Sequence, residues 1–215
     1  MWSDRFHGQV STIAITGIAL SNFCHLLSVL VIYNLSGTTS FQTSESISSV
    51  AIVIAVLHII NPAGAFLLSP YSEALFSLLN MLGFQLYLNG LRNHYQNKNL
   101  LAEIHCLAAG AVFAFATTVR SNGLLSGTLF LYDAIVTALS IYNGDRSIGR
   151  FRRMFVIIIG GCLIALGAII PQYRVYQSYC TFDTGSETRP WCNNYLPSIY
   201  AWVQSHYWYE VHTRS

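Results

Sequence analysis

Apolar residues fill six stretches of this chain, roughly 12–33, 50–68, 72–91, 104–119, 124–142 and 154–171, with the polar residues gathered between them. The runs are continuous and do not alternate with period two, so they predict helices and not the strands of a barrel. Each is near the ~20 residues a helix needs to cross ~30 Å of hydrocarbon. The expected fold is all-α: a transmembrane helical region of about six spans over residues 1–171, then a tail over 172–215 dense in aromatic residues. The fourth stretch is short, and the second contains Asn61-Pro62, a helix-interrupting pair. The first stretch is too long for a signal-peptide core, and no small-residue cleavage site follows Tyr33, so it reads as a retained span. Residues 36–49, rich in Ser and Thr, read as a flexible linker between the first two spans.

Composition narrows the class further. Of 215 residues, 53% are hydrophobic and only 9% charged, against ~25% charged in soluble domains. Mean hydropathy is +0.45. An ordinary soluble globule and a disordered chain are both excluded. The net charge of +2, with no basic run interleaved with aromatics, excludes nucleic acid as a partner.

Lysine and arginine orient the spans. Arg92 and Lys98 flank the turn after the third stretch, and Arg146, Arg150, Arg152 and Arg153 follow the fifth. Two spans separate these loops, so they share a face, which the positive-inside rule makes cytosolic. The N-terminus, residues 69–73, residues 120–123 and everything after about 171 then lie on the opposite, luminal face. Cys180 and Cys192, in the tail, are on the oxidising side, where a disulfide between them is expected. Cys24, Cys106 and Cys162 sit inside spans and read as small apolar fillers. No Cys/His spacing suits zinc, so no metal is expected. The sequon Asn34-Leu35-Ser36 falls on the cytosolic face and is expected to be unused.

Two polar motifs interrupt the apolar pattern. In Ser69-Pro70-Tyr71-Ser72-Glu73, Pro70 biases Ser69 away from helix, Ser69 or Ser72 can cap the next span, and Glu73 lies in its first turn. Either this is only a helix start, or Tyr71, Ser72 and Glu73 line a luminal pocket for a polar substrate. Arg120-Ser121-Asn122-Gly123 is either a tight turn, with Gly123 supplying positive φ and Arg120 snorkelling, or a site where Arg120 pairs with a lipid-linked phosphate. Asp133, inside the fifth span, is a functional candidate or a protonated hydrogen-bonding group. His25, His58 and His105 read as structural. The aromatic run Ile199 to Trp208 fits an interfacial belt or a carbohydrate-contacting surface.

Taken in order, these motifs resemble a family. Asn61-Pro62-Ala63 to Phe66 and Ser69-Pro70-Tyr71-Ser72-Glu73-Ala74-Leu75-Phe76, then Arg120-Ser121-Asn122-Gly123, then Tyr179-Cys180, Pro190-Trp191-Cys192 and Val203-Gln204-Ser205-His206-Tyr207-Trp208 are similar to elements of the second GPI-anchor mannosyltransferase family. The likeness runs from about 50 to 208. It implies part of a GT-C-type glycosyltransferase fold in the endoplasmic-reticulum membrane. It implies transfer of the second mannose from dolichol-phosphate-mannose to a GPI glycolipid precursor, with an inverting α-1,6 bond formed in the lumen. The donor is a substrate, and no cofactor is implied. Tyr71, Ser72, Glu73, Arg120, Asn122, Gln204, His206, Tyr207 and Trp208 are the substrate-binding positions that follow. Membrane lipid and a small membrane subunit are the further partners.

The family's Trp-Asp…His-Phe element, whose Asp is the expected base, has no counterpart here. Trp2, Asp4 and His7 have the wrong spacing, so the role is not carried onto Asp4 and no catalytic residue is assigned. Family members are about twice as long, and the likeness ends after Trp208. The expectation is a shortened chain with little activity of its own. A non-catalytic membrane subunit or relic is the alternative. A small transporter using Asp133 and Arg120 along one polar path comes third, and it requires paired broken helices in corresponding halves.

Overall fold

A backbone N–H or C=O without a partner is costly in hydrocarbon, and a helix satisfies nearly all of them within one segment. The apolar stretches fold accordingly. A computed structural model describes residues 2–39, 44–60, 69–144, 146–180, 190–193, 202 and 205, and side chains within 12–36, 49–60, 69–144, 146–180, 191–192, 202 and 205. The helices among them are α1 (Trp2–Thr39), α2 (Ser44–Ile59), α3 (Glu73–Tyr95), α4 (Asn99–Val119), α5 (Gly127–Tyr142) and α6 (Ile148–Cys180), with 3-10 turns at Ser121–Ser126 (η1) and Pro190–Asn193 (η2). No strand occurs among the described residues.

Five segments are long and apolar enough to cross a membrane: Thr12–Ser36, Glu73–Tyr95, Asn99–Val119, Ser121–Tyr142 and Ile148–Cys180. The second apolar stretch forms a shorter helix. It stops at Ile59, before Asn61-Pro62, as a residue pair that biases the chain out of helix requires. Residues 61–68 lie outside the described residues. The fourth stretch, short by hydropathy, gains an extra turn at its start and reaches back to Asn99. Large apolar side chains such as Ile13, Leu57, Leu125, Leu139 and Phe155 are exposed, which suits a surface solvated by lipid.

Two compact units divide the chain, residues 1–167 and 168–215. In the first, α1 and α3 run side by side in the same direction. A Cβ on Gly17 would lie 2.8 Å from Pro70 Cβ, and Cys24 packs with Ala74, Leu75 and Leu78. The second helix joins α1 through Ser28 Oγ and His58 Nε2, 3.0 Å apart, and through the His25 and His58 rings, 5.2 Å between centroids.

The main core surrounds α4. Phe113 and Phe130 are fully buried and meet edge to face, 6.4 Å between centroids, and Phe84 adds a second edge-on contact to Phe113 at 5.4 Å. Ala109, Ile157 and Ile164 complete the cluster. Small residues let the backbones approach closely, the usual basis of helix association in lipid. A Cβ on Gly110 would stand 2.8 Å from Gly160 Cα, so α4 and α6 touch backbone to backbone there.

In the second unit α6 continues through Pro171 to Cys180, beyond the apolar stretch that ends near 171. Gln177 Nε2 donates to Tyr173 Oη at 3.0 Å, one turn apart on that polar extension. Cys180 and Cys192 are disulfide-bonded, with Cα atoms 5.6 Å apart. Trp191, buried, packs against Tyr179 with centroids 6.4 Å apart.

Gly110→Val inserts a branched side chain against backbone, where overpacking costs ~1–3 kcal/mol. It is expected to lower the thermal midpoint of the detergent-purified protein by several degrees. Gly161→Ala, whose Cβ would meet nothing closer than 3.8 Å, is expected to leave the midpoint unchanged. Equal midpoints for Gly110→Val and the unsubstituted chain would remove the α4–α6 contact.

Candidate functional site

The two polar motifs meet at one end of the α3–α4 pair. At the start of α3, Tyr71 N–H donates to Ser69 O at 2.7 Å, and Phe76 N–H to Ser72 O at 2.9 Å. Ser72 occupies the N-cap position with helical backbone angles and makes no side-chain capping bond. Of the two capping candidates, Ser69 and Ser72, the second is ruled out: a capping side chain needs non-helical φ/ψ, and Ser72 has φ −74° and ψ −7°. Glu73 lies in the first turn, where the helix dipole favours a carboxylate.

Helix α4 ends at the same place. Arg120 N–H donates to Ala116 O at 2.9 Å, and Arg120 itself is extended, with φ −153° and ψ 127°. The chain then turns through η1, with Gly123 N–H donating to Arg120 O at 2.9 Å. Gly123 does not supply a positive φ, since Gly144 is the glycine with that conformation among the described residues. Its requirement is space: a Cβ there would lie 2.7 Å from the Thr117 backbone. Ser126 Oγ donates to Asn80 Oδ1 at 3.0 Å, tying η1 to α3.

This local geometry brings Arg120 Nη1 to 2.6 Å from Glu73 Oε1. The guanidinium carbon is also 6.0 Å from the centroid of the Phe76 ring, at the limit of a cation–π contact. Glu73 Oε2 is buried and has no hydrogen-bond partner among the described residues. The side chains are 42% and 30% exposed. A pair that open contributes only ~0–1 kcal/mol, so its main effect is to fix where the guanidinium stands. One donor goes to Glu73, and a guanidinium has five, so the group can still grip an anion.

A second polar cluster lies at the opposite end of the bundle. Arg153 Nη2 is 2.9 Å from both carboxylate oxygens of Asp133, with side chains only 19% and 14% exposed. Arg152 Nε pairs with Glu103 Oε1 at 2.5 Å. The Asp133–Arg153 pair borders a cavity of about 610 Å³ between the α3–α4 turn and the α5–α6 turn. Those two turns therefore share an end, as the distribution of lysine and arginine requires. Asp133 is in an ion pair, and its partner is Arg153. Arg120 pairs with Glu73 at the other end, so the path imagined for a transporter is not assembled from these two groups.

The remaining candidates scatter. Tyr71, Ser72 and Asn122 are exposed around the Glu73–Arg120 pair in sequence. Gln204, His206, Tyr207 and Trp208 lie outside the described residues. Cys180 and Cys192 are joined, while Cys24, Cys106 and Cys162 are free thiols, the last of them exposed. Among the described residues no three of His, Cys, Asp and Glu gather to hold a metal. Sequence reasoning missed the Asp133–Arg153 pair, although an intramembrane carboxylate calls for a basic partner. It also missed the His25–His58–Ser28 contact.

Known proteins resemble this chain over most of its length. The model of the family described as "Mannosyltransferase (PIG-V)" matches residues 8–211. A protein named GPI mannosyltransferase 2 from Aspergillus oryzae is 44% identical over 194 residues, covering 90% of this chain and 44% of the relative. Its namesake from Aspergillus fumigatus is 44% identical over 183 residues, covering 85% and 41%. The Yarrowia lipolytica namesake is 35% identical over 210 residues, covering 97% and 50%. This chain thus spans half or less of the length of these relatives. No solved structure matches. The similarity embraces both polar motifs and the helices that carry them, and the chain belongs to the mannosyltransferase (PIG-V) family.

Proposed function

We propose that this chain carries part of the active site of a mannosyltransferase of GPI-anchor biosynthesis in the endoplasmic-reticulum membrane. The donor is dolichol-phosphate-mannose, the acceptor is the first mannose of a GPI glycolipid precursor, and the product bond is α-1,6. Family membership supports the reaction class, and the relatives' names support the GPI glycolipid acceptor. The observation that carries the site is the Glu73–Arg120 ion pair, because it joins two separate motifs and fixes a guanidinium with donors to spare at one end of the bundle.

In the reaction, the acceptor hydroxyl oxygen bonds to C1 of mannose while the bond from C1 to the phosphate oxygen breaks. The electron pair leaves with dolichol phosphate, and the acceptor proton passes to a carboxylate base. Attack opposite the leaving group converts a β-linked donor to an α-linked product. Negative charge grows on the departing phosphate, and a fixed donor aimed at growing charge lowers the barrier. Arg120 is suited to that role, with a planar fork that matches a phosphate. Glu73 is a positioning residue that holds Arg120 through one oxygen. Tyr71, Asn122, Gln204, His206, Tyr207 and Trp208 would supply hydroxyl, amide, imidazole and ring faces to the sugars. The base is not assigned to any residue of this chain.

The test uses microsomes that lack the second GPI mannosyltransferase and express the full gene product containing this chain, with radiolabelled mannose transfer as the readout. Arg120→Ala is expected to lower transfer roughly 100-fold, in the range of losing one oxyanion-type donor. Glu73→Gln should lower it less, about tenfold, and mainly through kcat, since it displaces Arg120 without removing it. The double variant should be no worse than Arg120→Ala alone. Full transfer by Arg120→Ala at normal expression would remove the proposed site. No transfer by the unsubstituted protein would favour a non-catalytic subunit.

A further inference from the structure

The cavity at the Asp133–Arg153 end is separate from the Glu73–Arg120 site and is not used by the proposed reaction. At about 610 Å³ it falls within the usual ~300–1,000 Å³ of small-molecule sites. Its lining includes Arg150, Arg153, His94 and Ser140, together with Tyr132 and Val136, and also the carboxylates of Asp133 and Glu103, which are engaged by Arg153 and Arg152. Two more arginines, Arg146 and Arg152, lie within the same short segment.

We infer that this cavity binds the net-anionic, phosphate-bearing headgroup of a lipid from the leaflet that faces the arginine-rich turn. Three features converge. First, Arg153 is held by Asp133 through Nη2 alone, 2.9 Å from each oxygen, so its other guanidinium donors remain for an anion. Holding the arginine against both carboxylate oxygens means little rotamer freedom is lost on binding. Second, the cavity reaches Gly149 in the first turn of α6. A Cβ there would meet nothing within 4 Å, so the space beside this helix N-terminus is open, where the dipole favours negative charge. Third, Tyr132 and Val136 line the cavity and are also exposed on α5, within the segment Ser121–Tyr142 that is long and apolar enough to cross a membrane. One wall is thus polar, with both of its carboxylates already paired with arginines, while the other suits glycerol and acyl chain. Basic pockets between transmembrane helices at the cytosolic surface are suited to acidic lipid headgroups. A soluble phosphate would use the first two features and leave the third without a purpose.

Native mass spectrometry of the full gene product, released from nanodiscs of phosphatidylcholine and phosphatidylserine in equal amounts, tests this directly. Phosphatidylserine is expected to be retained in preference. Arg150→Gln should reduce retention about five- to tenfold, and Ser140→Phe, which fills the cavity without altering an arginine, should reduce it equally. Arg146→Gln, which removes a charge outside the cavity, should change retention by less than about twofold. Retention that survives millimolar inorganic phosphate supports the lipid. Release by inorganic phosphate would overturn it in favour of a soluble phosphate compound. Equal retention of both lipids, or unchanged retention in both Arg150→Gln and Ser140→Phe, would also overturn it.

Discussion

Close backbone packing around α4 is the constraint on which the larger unit depends. Lipid offers no hydrophobic drive for helices to associate, so contact area and shape must supply it. Gly110 on α4 and Gly160 on α6 let the two backbones touch, and Phe113 fills the space against Gly83 on α3. Once α4 is seated, its two ends are committed. One ends in Arg120 beside the start of α3, and the other begins near Glu103, beside the start of α6. Both polar regions are consequences of the same central helix.

The two regions use charge differently. Asp133 and Arg153 are mostly buried, with Arg153 Nη2 shared between both carboxylate oxygens, so removing either partner would strand a charge, a change that costs ~3–5 kcal/mol for a fully buried pair. Glu73 and Arg120 are far more open and contribute little to stability. What they gain is placement. A guanidinium that would otherwise wander at the membrane surface is held against a carboxylate and the Phe76 ring. That division fits a bundle whose stability comes from packing and whose chemistry is kept where water and headgroups reach.

Much of this was legible in the chain because hydrocarbon punishes ambiguity. A run of twenty apolar residues has few alternatives to a spanning helix, and the order of the runs decides which turns share an end. The meeting of Glu73 and Arg120 at one end follows from that alternation, although their contact does not. What was not legible depends on rotation about helix axes and on local backbone angles. Asp133 and Arg153 are twenty residues apart across a reversal of the chain, and no hydropathy pattern specifies that the two side chains face each other. Ser72 has the composition of a cap without the dihedrals of one. Gly123 looked like a turn residue and proves to be a clearance residue against Thr117. Helix α6 outlasts its apolar run, and Gln177 and Tyr173 are hydrogen-bonded one turn apart on that extension.

The central claim is that the start of α3 and the turn after α4 present one face, with the arginine-rich turn on the other. Membrane-impermeant thiol labelling of Ser72→Cys, Asn122→Cys and Ser147→Cys, each compared with the unsubstituted protein in sealed microsomes, tests it most directly. Positions 72 and 122 should be protected until the vesicles are permeabilised, and position 147 should label at once. Labelling of 72 and 122 from opposite sides of the bilayer would contradict the claim.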